Sequence, residues 1–288
     1  MKNMLKRGLS FGLAGLMLSG VLCGCGSTGK DSADTAPDAA QDTAEQPVEL
    51  TVFAAASLTE ALNEIAEQYK EVAPEVSLVF NFDSSGTLKT QIEEGAECDI
   101  FISAAQKQMN QLDATQDAEK NPDGLDYIDP ETRIDLLENK VVLVVPEGNP
   151  AGITSFEEIG DKCNLIALGN DDVPVGQYSE EILQGLGLMD KLESESKITY
   201  GSNVKEVTTQ VAEGAVDCGI LYATDANSAG LTIVAQASED MCSQVIYPAA
   251  LLKNSAHVEQ AQAFLDYLQD DAAMKVFEEI GFSSAVAK

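Results

Sequence analysis

The sequence predicts an α/β fold in which mixed, mostly parallel sheets are flanked by helices. Three observations carry that expectation. β-leaning apolar runs alternate with segments of helical period along most of the chain. Four strand-to-helix junctions consist of small or helix-capping residues. The foldable part, Val48 to Lys288, is about 240 residues, ample for one large core or two smaller lobes.

The elements follow in order. Val48–Ala56 is an apolar strand run. Leu58, Ala61, Leu62, Ile65, Ala66, Tyr69 and Val72 then recur at helical spacing. Val76–Phe82 reads as a strand and Thr87–Glu94 as a helix closed by Gly95. Asp99–Ser103 and Val141–Val145 are short buried strands, the second stopped by Pro146. Further strands fit Leu165–Gly169, Ile198–Tyr200, Gly219–Tyr222, Thr232–Ala235 and Val245–Leu252. Helices fit 154–160, 176–186, 204–213 and 257–279. No internal repeat is visible.

Charge excludes some partners. The chain carries 17 Lys+Arg against 48 Asp+Glu, a formal net of −31. Nucleic acid is not expected, because backbone binding needs clustered Lys and Arg. A small anionic ligand stays open, since charges beyond about 8 Å are largely screened at physiological salt. Cys98, Cys163, Cys218 and Cys242 form no Cys-x-x-Cys pair, so zinc and redox chemistry are not expected. Cys98 and Cys218 each adjoin an Asp and an apolar run, which places them at buried strand ends. Free, buried thiols are the expectation, with a disulfide as the alternative.

The first residues speak to compartment. Lys2, Lys6 and Arg7 precede an apolar stretch, Leu9 to Leu22, that is too short and glycine-rich for a comfortable membrane span. The run Leu22-Cys23-Gly24-Cys25 resembles a bacterial lipobox, which implies a signal peptide over residues 1–24 and lipidation of Cys25. A plain cleaved signal is the alternative. Residues 25–47 read as an anchor and disordered tether, with no aromatic residue and too little apolar surface to fold. A single lipid holds a chain at the outer face of the membrane without threading it through.

Chemistry concentrates at the four junctions. They are Ala54-Ala55-Ala56-Ser57 with Glu60 three residues on, Asp83-Ser84-Ser85-Gly86, Val173-Pro174-Val175-Gly176, and Ser202-Asn203-Val204 with Glu206. Ser and Glu three apart form a capping box, and Pro suits the first helical turn. Gly86 lets the backbone approach a ligand closely. Taken singly, each junction is ordinary capping. Taken together, helix starts expose unpaired N–H groups and positive dipole ends, which bind oxyanions without Lys or Arg.

The ordered set Phe53-Ala54-Ala55-Ala56-Ser57-Leu58, Ser84-Ser85-Gly86-Thr87-Leu88, Asp99-Ile100-Phe101-Ile102-Ser103-Ala104, Val173-Pro174-Val175-Gly176-Gln177-Tyr178 and Gly219-Ile220-Leu221-Tyr222 resembles the periplasmic molybdate-binding proteins of ABC importers (ModA type) over residues 48–284. The resemblance implies a two-lobed type II periplasmic-binding-protein fold. Lobe I would comprise 48–143 plus 245–288 and lobe II 144–244, with crossovers near Val141–Val145 and Val245–Tyr247. It implies an oxyanion held by Ser57, Ser85, Val175, Val204 and Tyr222 through hydroxyl and backbone N–H groups. Val175 departs from the small alanine common in the family. Molybdate or tungstate would be the ligand, with molybdenum bound only as its oxyanion and no cofactor. An ABC permease would be the partner of a monomer. Sulfate or phosphate is the nearest alternative. Phosphate carries a proton and needs an acceptor such as Asp83, which its turn position directs outward.

An enzyme is the rival class. His257 is the only histidine, at the start of a surface helix, and no Gly-x-Ser-x-Gly, phosphate loop or His-Glu-x-x-His is present. An adhesive or structural lipoprotein is a further rival, but those tend to be repetitive or all-β.

Overall fold

The computed structural model describes residues 47–286. The expected signal peptide, the lipidated Cys25 and all of the tether but Pro47 lie outside the described residues.

β1 (Val48–Ala55) runs directly into one 3-10 turn (Ala56–Leu58) and α1 (Thr59–Val72). Next come β2 (Val76–Asp83), α2 (Ser85–Glu93), β3 (Ile100–Ile102), α3 (Gln106–Gln111) and β4 (Ile134–Asn139). The chain then builds β5 (Val141–Val145), α4 (Ile159–Lys162), β6 (Ile166–Gly169), α5 (Pro174–Gly185) and α6 (Met189–Ser194). β7 (Ile198–Gly201), α7 (Val204–Ala212), β8 (Cys218–Tyr222), α8 (Ala223–Ser228) and β9 (Thr232–Gln236) complete that part. β10 (Val245–Leu251), α9 (Val258–Tyr267), α10 (Asp271–Ile280) and β11 (Ser283–Ser284) follow.

The strands form two sheets, in the orders β11-β4-β10-β3-β1-β2 and β7-β6-β8-β5-β9. Each sheet, with the helices packed on it, forms a lobe. β5, Val-Val-Leu-Val-Val, lies between β8 and β9 and is buried throughout, as expected of a strand covered on both faces. The α/β class matches the sequence expectation, but the sheets are more evenly mixed. β1 pairs in parallel with β2 and β3, and β6 with β7 and β8. The other five pairings are antiparallel. Among these, β5 runs antiparallel to β8 and β9, and β10 antiparallel to β3 and β4, where the chain changes sheets.

The chain leaves the first sheet at Asn139 and joins the second at Val141, so Val141, Val142 and Leu143 pair within the second sheet. The return runs through residues 237–244. The helix expected over 257–279 is two helices, because Leu268–Asp270 turn the chain between α9 and α10. The helix expected over 154–160 shrinks to α4, since 155–158 form bends and turns.

All four described cysteines are free thiols. Cys163 and Cys218 are buried with their sulfurs 3.6 Å apart.

Candidate functional site

The C-terminal ends of β1 and β2 lead into the 3-10 turn and α2 on one lobe. On the other lobe, β6, β7 and β8 lead into α5, α7 and α8. These carboxyl ends face one another across the cleft, as is usual for ligand sites in open α/β sheets. Ser57, Ser85, Val204 and Tyr222 line one small cavity there, with Val173 and Pro174 beside them. It holds about 190 Å³ of space free of atoms. That space is partly open to solvent; the room for the centre of a water-sized sphere is about 10 Å³, on the scale of a single water.

The sequence folds each edge of this cavity for a local reason. Ser84 caps α2, its Oγ accepting the Thr87 N–H at 3.1 Å, which leaves the Ser85 hydroxyl uncommitted to the helix. Asn203 caps α7 by accepting the Glu206 N–H at 3.1 Å, while the Glu206 carboxylate accepts the Ser202 N–H at 2.7 Å. Pro174 opens α5. Gly176 sets that helix against β6, for a Cβ there would stand 2.4 Å from the Gly169 carbonyl oxygen. Ser57 does not cap α1, as its spacing from Glu60 implies. It sits inside the 3-10 turn, and its Oγ pairs with the Tyr247 hydroxyl at 2.9 Å.

Hydrogen-bond bookkeeping fixes what the cavity offers. Ser85 Oγ accepts the Ala104 N–H at 2.9 Å, so its own proton is free for a ligand. The Tyr222 hydroxyl is buried and has no hydrogen-bond partner among the described residues. Burial pushes the Tyr222 phenol well above its ordinary range, so it stays protonated at neutral pH. Such a group is costly to leave unsatisfied unless something fills the cavity. The amides of Ser85, Val175 and Val204 lie in first helical turns, where N–H groups have no intrahelical acceptor.

Two residues bear on the character of the lining. Val175 does not line the cavity. Its side chain is fully buried in the apolar core, so only its amide is left to serve a ligand. Asp83 lines the cavity instead of facing outward. Its Oδ1 accepts the Ser84 N–H at 2.7 Å and the Asn203 Nδ2 amide at 3.3 Å.

Three contacts hold the lobes together at the mouth of the cleft. Besides Asp83 with Asn203, the Gly86 N–H donates to the Asp172 carbonyl at 3.0 Å. Lys205 Nζ of α7 meets the Glu60 carboxylate of α1 at 2.7 and 2.8 Å. Lys205 also lies 3.0 Å from Asp225 Oδ1, a carboxylate buried in the first turn of α8. Burial raises Asp225 to about 6, and Lys205 opposes the rise. Sequence reasoning missed Asn139, Tyr247, Lys205 and Asp225. Their partners are 85 to 190 residues away for the first two, and no local pattern links them.

This fold and cleft are those of a solute-binding protein. The chain belongs to the family of bacterial extracellular solute-binding proteins, whose profile matches residues 50–283. It is 38% identical over 242 residues to YvgL of Bacillus subtilis, provisionally named an ABC transporter substrate-binding lipoprotein, covering 83% of this chain and 88% of that one. It is 37% identical to the molybdate-binding protein ModA of Haemophilus influenzae, covering 82% and 90%. A solved structure from Clostridium difficile, provisionally named the substrate-binding domain of a molybdenum ABC transporter, superposes with a TM-score of 0.61 at 37% identity. That match covers 82% of this chain and 98% of the other.

Proposed function

We propose that this protein captures molybdate, or tungstate, outside the cytoplasm and delivers it to an ABC permease in the membrane. The observation that carries the reading is the convergence of the Ser57, Ser85 and Tyr222 hydroxyls on one small cavity, with the Ser85 and Tyr222 protons free to donate. Amides at the starts of α2, α5 and α7 supply further donors, those of Ser85, Val175 and Val204. A full dianion offers only acceptors, and such a set of donors matches it. Each hydrogen bond to a charged ligand contributes about 1.5–3 kcal/mol net, so a handful supports tight binding without any Lys or Arg. The relatives named for molybdate align with more than four-fifths of this chain at 37–38% identity. The lobes, hinged at Lys140 and at residues 237–244, open to admit the anion and close to exclude water. Cys25 carries the lipid that keeps the receptor at the membrane, and the protein acts as a monomer that binds without turnover.

Asp83 favours a second reading, hydrogen phosphate, because a carboxylate in the lining can accept a ligand proton. Against it, Oδ1 already accepts two hydrogen bonds. Thermal unfolding with each anion separates the two. A ligand at 100 times its Kd stabilises the folded state by about 2.7 kcal/mol. Molybdate and tungstate should raise Tm at micromolar concentration while phosphate and sulfate do not. A shift with phosphate alone would transfer the assignment to phosphate.

A further inference from the structure

We infer that Asn139 and Tyr247 form a positioning relay that turns the Ser57 hydroxyl proton toward the cavity, making Ser57 an obligatory donor that disfavours protonated oxyanions. This rests on the reading of the cavity as an oxyanion site.

The direction of each hydrogen bond follows from its partner. The Lys140 backbone N–H can only donate, and it lies 2.8 Å from the Asn139 side chain, so the atom it meets is the carbonyl Oδ1. The other end of that amide is therefore the NH2 group. It donates to Thr224 Oγ1 at 2.9 Å and to the Tyr247 hydroxyl at 3.2 Å. Tyr247 is fully buried, and the hydrogen bonds of its hydroxyl run to Asn139 and Ser57, with the Tyr222 hydroxyl nearby but outside hydrogen-bond geometry. An amide nitrogen cannot accept, so the phenol proton goes to Ser57 Oγ. Ser57 then receives a proton from behind and has its own left for the cavity it lines.

The anchor sits at the hinge. Asn139 ends β4, immediately before the chain crosses to the second sheet, and Thr224 belongs to α8 of the other lobe. The orientation of a hydroxyl in the site is thus set by a residue at the crossing point. A free serine hydroxyl can rotate to donate or accept. A wired one cannot accept a ligand proton without breaking the chain of bonds behind it.

Kd values for molybdate and phosphate, measured by calorimetry, test the relay. Tyr247→Phe removes the relay's middle hydroxyl without adding charge. Molybdate should weaken about tenfold, as for loss of roughly one hydrogen bond's worth of orientation, while phosphate holds or tightens. The molybdate-to-phosphate preference then falls about tenfold. In the Ser57→Ala background, Tyr247→Phe should have no further effect on that preference. Asn139→Asp puts an acceptor where the amide donated, reverses the relay and should lower the preference at least as far, even if Tyr247→Phe folds poorly. Equal weakening of both anions, or an undiminished effect in the Ser57→Ala background, overturns the relay and leaves a packing role. Failure of the unmutated protein to bind any oxyanion instead removes the site reading, and the relay with it.

Discussion

The Gly86 amide donates to the Asp172 carbonyl at 3.0 Å, one backbone bonded directly to another across the cleft between the lobes. A Cβ on Gly86 would stand 2.4 Å from that oxygen. From the sequence alone, this glycine reads as a place where backbone nears ligand. What it nears is the other lobe.

Gly86→Ala should therefore hold the lobes apart. The expected result is a loss of affinity of at least about tenfold, because one closing contact and the fit around it are lost together. X-ray scattering checks it. The variant should keep a larger radius of gyration at saturating molybdate than the unmutated protein.

Tyr222→Phe separates binding from stability. The hydroxyl is buried without a partner, so removing it should leave the ligand-free protein equally stable or about 1 kcal/mol more stable. Binding should weaken about 10- to 100-fold. Urea unfolding without ligand, paired with calorimetry, reads both effects. A large loss of ligand-free stability would show that the hydroxyl has a structural partner.

Ser57→Ala and Ser85→Ala each remove one donor to a charged ligand. An expected loss of about 1.5–3 kcal/mol corresponds to roughly 10- to 100-fold in Kd. Ser85→Ala also leaves the Ala104 N–H without its acceptor, so it should destabilise the fold as well. Ser84→Ala removes the cap of α2 and should cost about 1 kcal/mol of stability.

Lys205 compensates the buried charge of Asp225 and bridges to Glu60. Asp225 has its folded pKa raised from 3.8 to about 6, chiefly by burial. The folded state thus holds that proton more tightly than the unfolded chain. The resulting stability is present below pH 3.8 and is lost as pH rises through about 6. Lys205→Met leaves the carboxylate buried without its cation. It should cost about 3–5 kcal/mol at pH 7.5 and clearly less at pH 4.5, where Asp225 takes up a proton. Urea unfolding at the two pH values measures the difference. An equal cost at both would mean that Lys205 acts through packing of its aliphatic stem or through Glu60 alone.

The sequence displays what is local. Period marks β1 with α1, and capping marks Asn203 with Glu206, because each signal spans a few residues. The cavity edges Ser57, Ser85, Val204 and Tyr222 are visible for the same reason: each stands at a strand-to-helix junction. The wiring behind them is not visible. Tyr247 meets Ser57 across 190 residues, and Asn139 meets Thr224 across 85. β4 escaped notice because Ile134-Asp135-Leu136-Leu137-Glu138-Asn139 lacks a clean alternation, one edge being held by β10 and the other by the two-residue β11. Asp83 misleads in the other direction. A turn aspartate is usually solvated, but here Asn203 of the opposite lobe draws its carboxylate into the cleft.

Calorimetric titration of residues 26–288 with molybdate, tungstate, sulfate and phosphate tests whether the cleft takes a small dianion through neutral donors. One-to-one binding of molybdate and tungstate is expected, with sulfate and phosphate far weaker. Phosphate binding as tightly as molybdate, or no binding of any of the four, would contradict it.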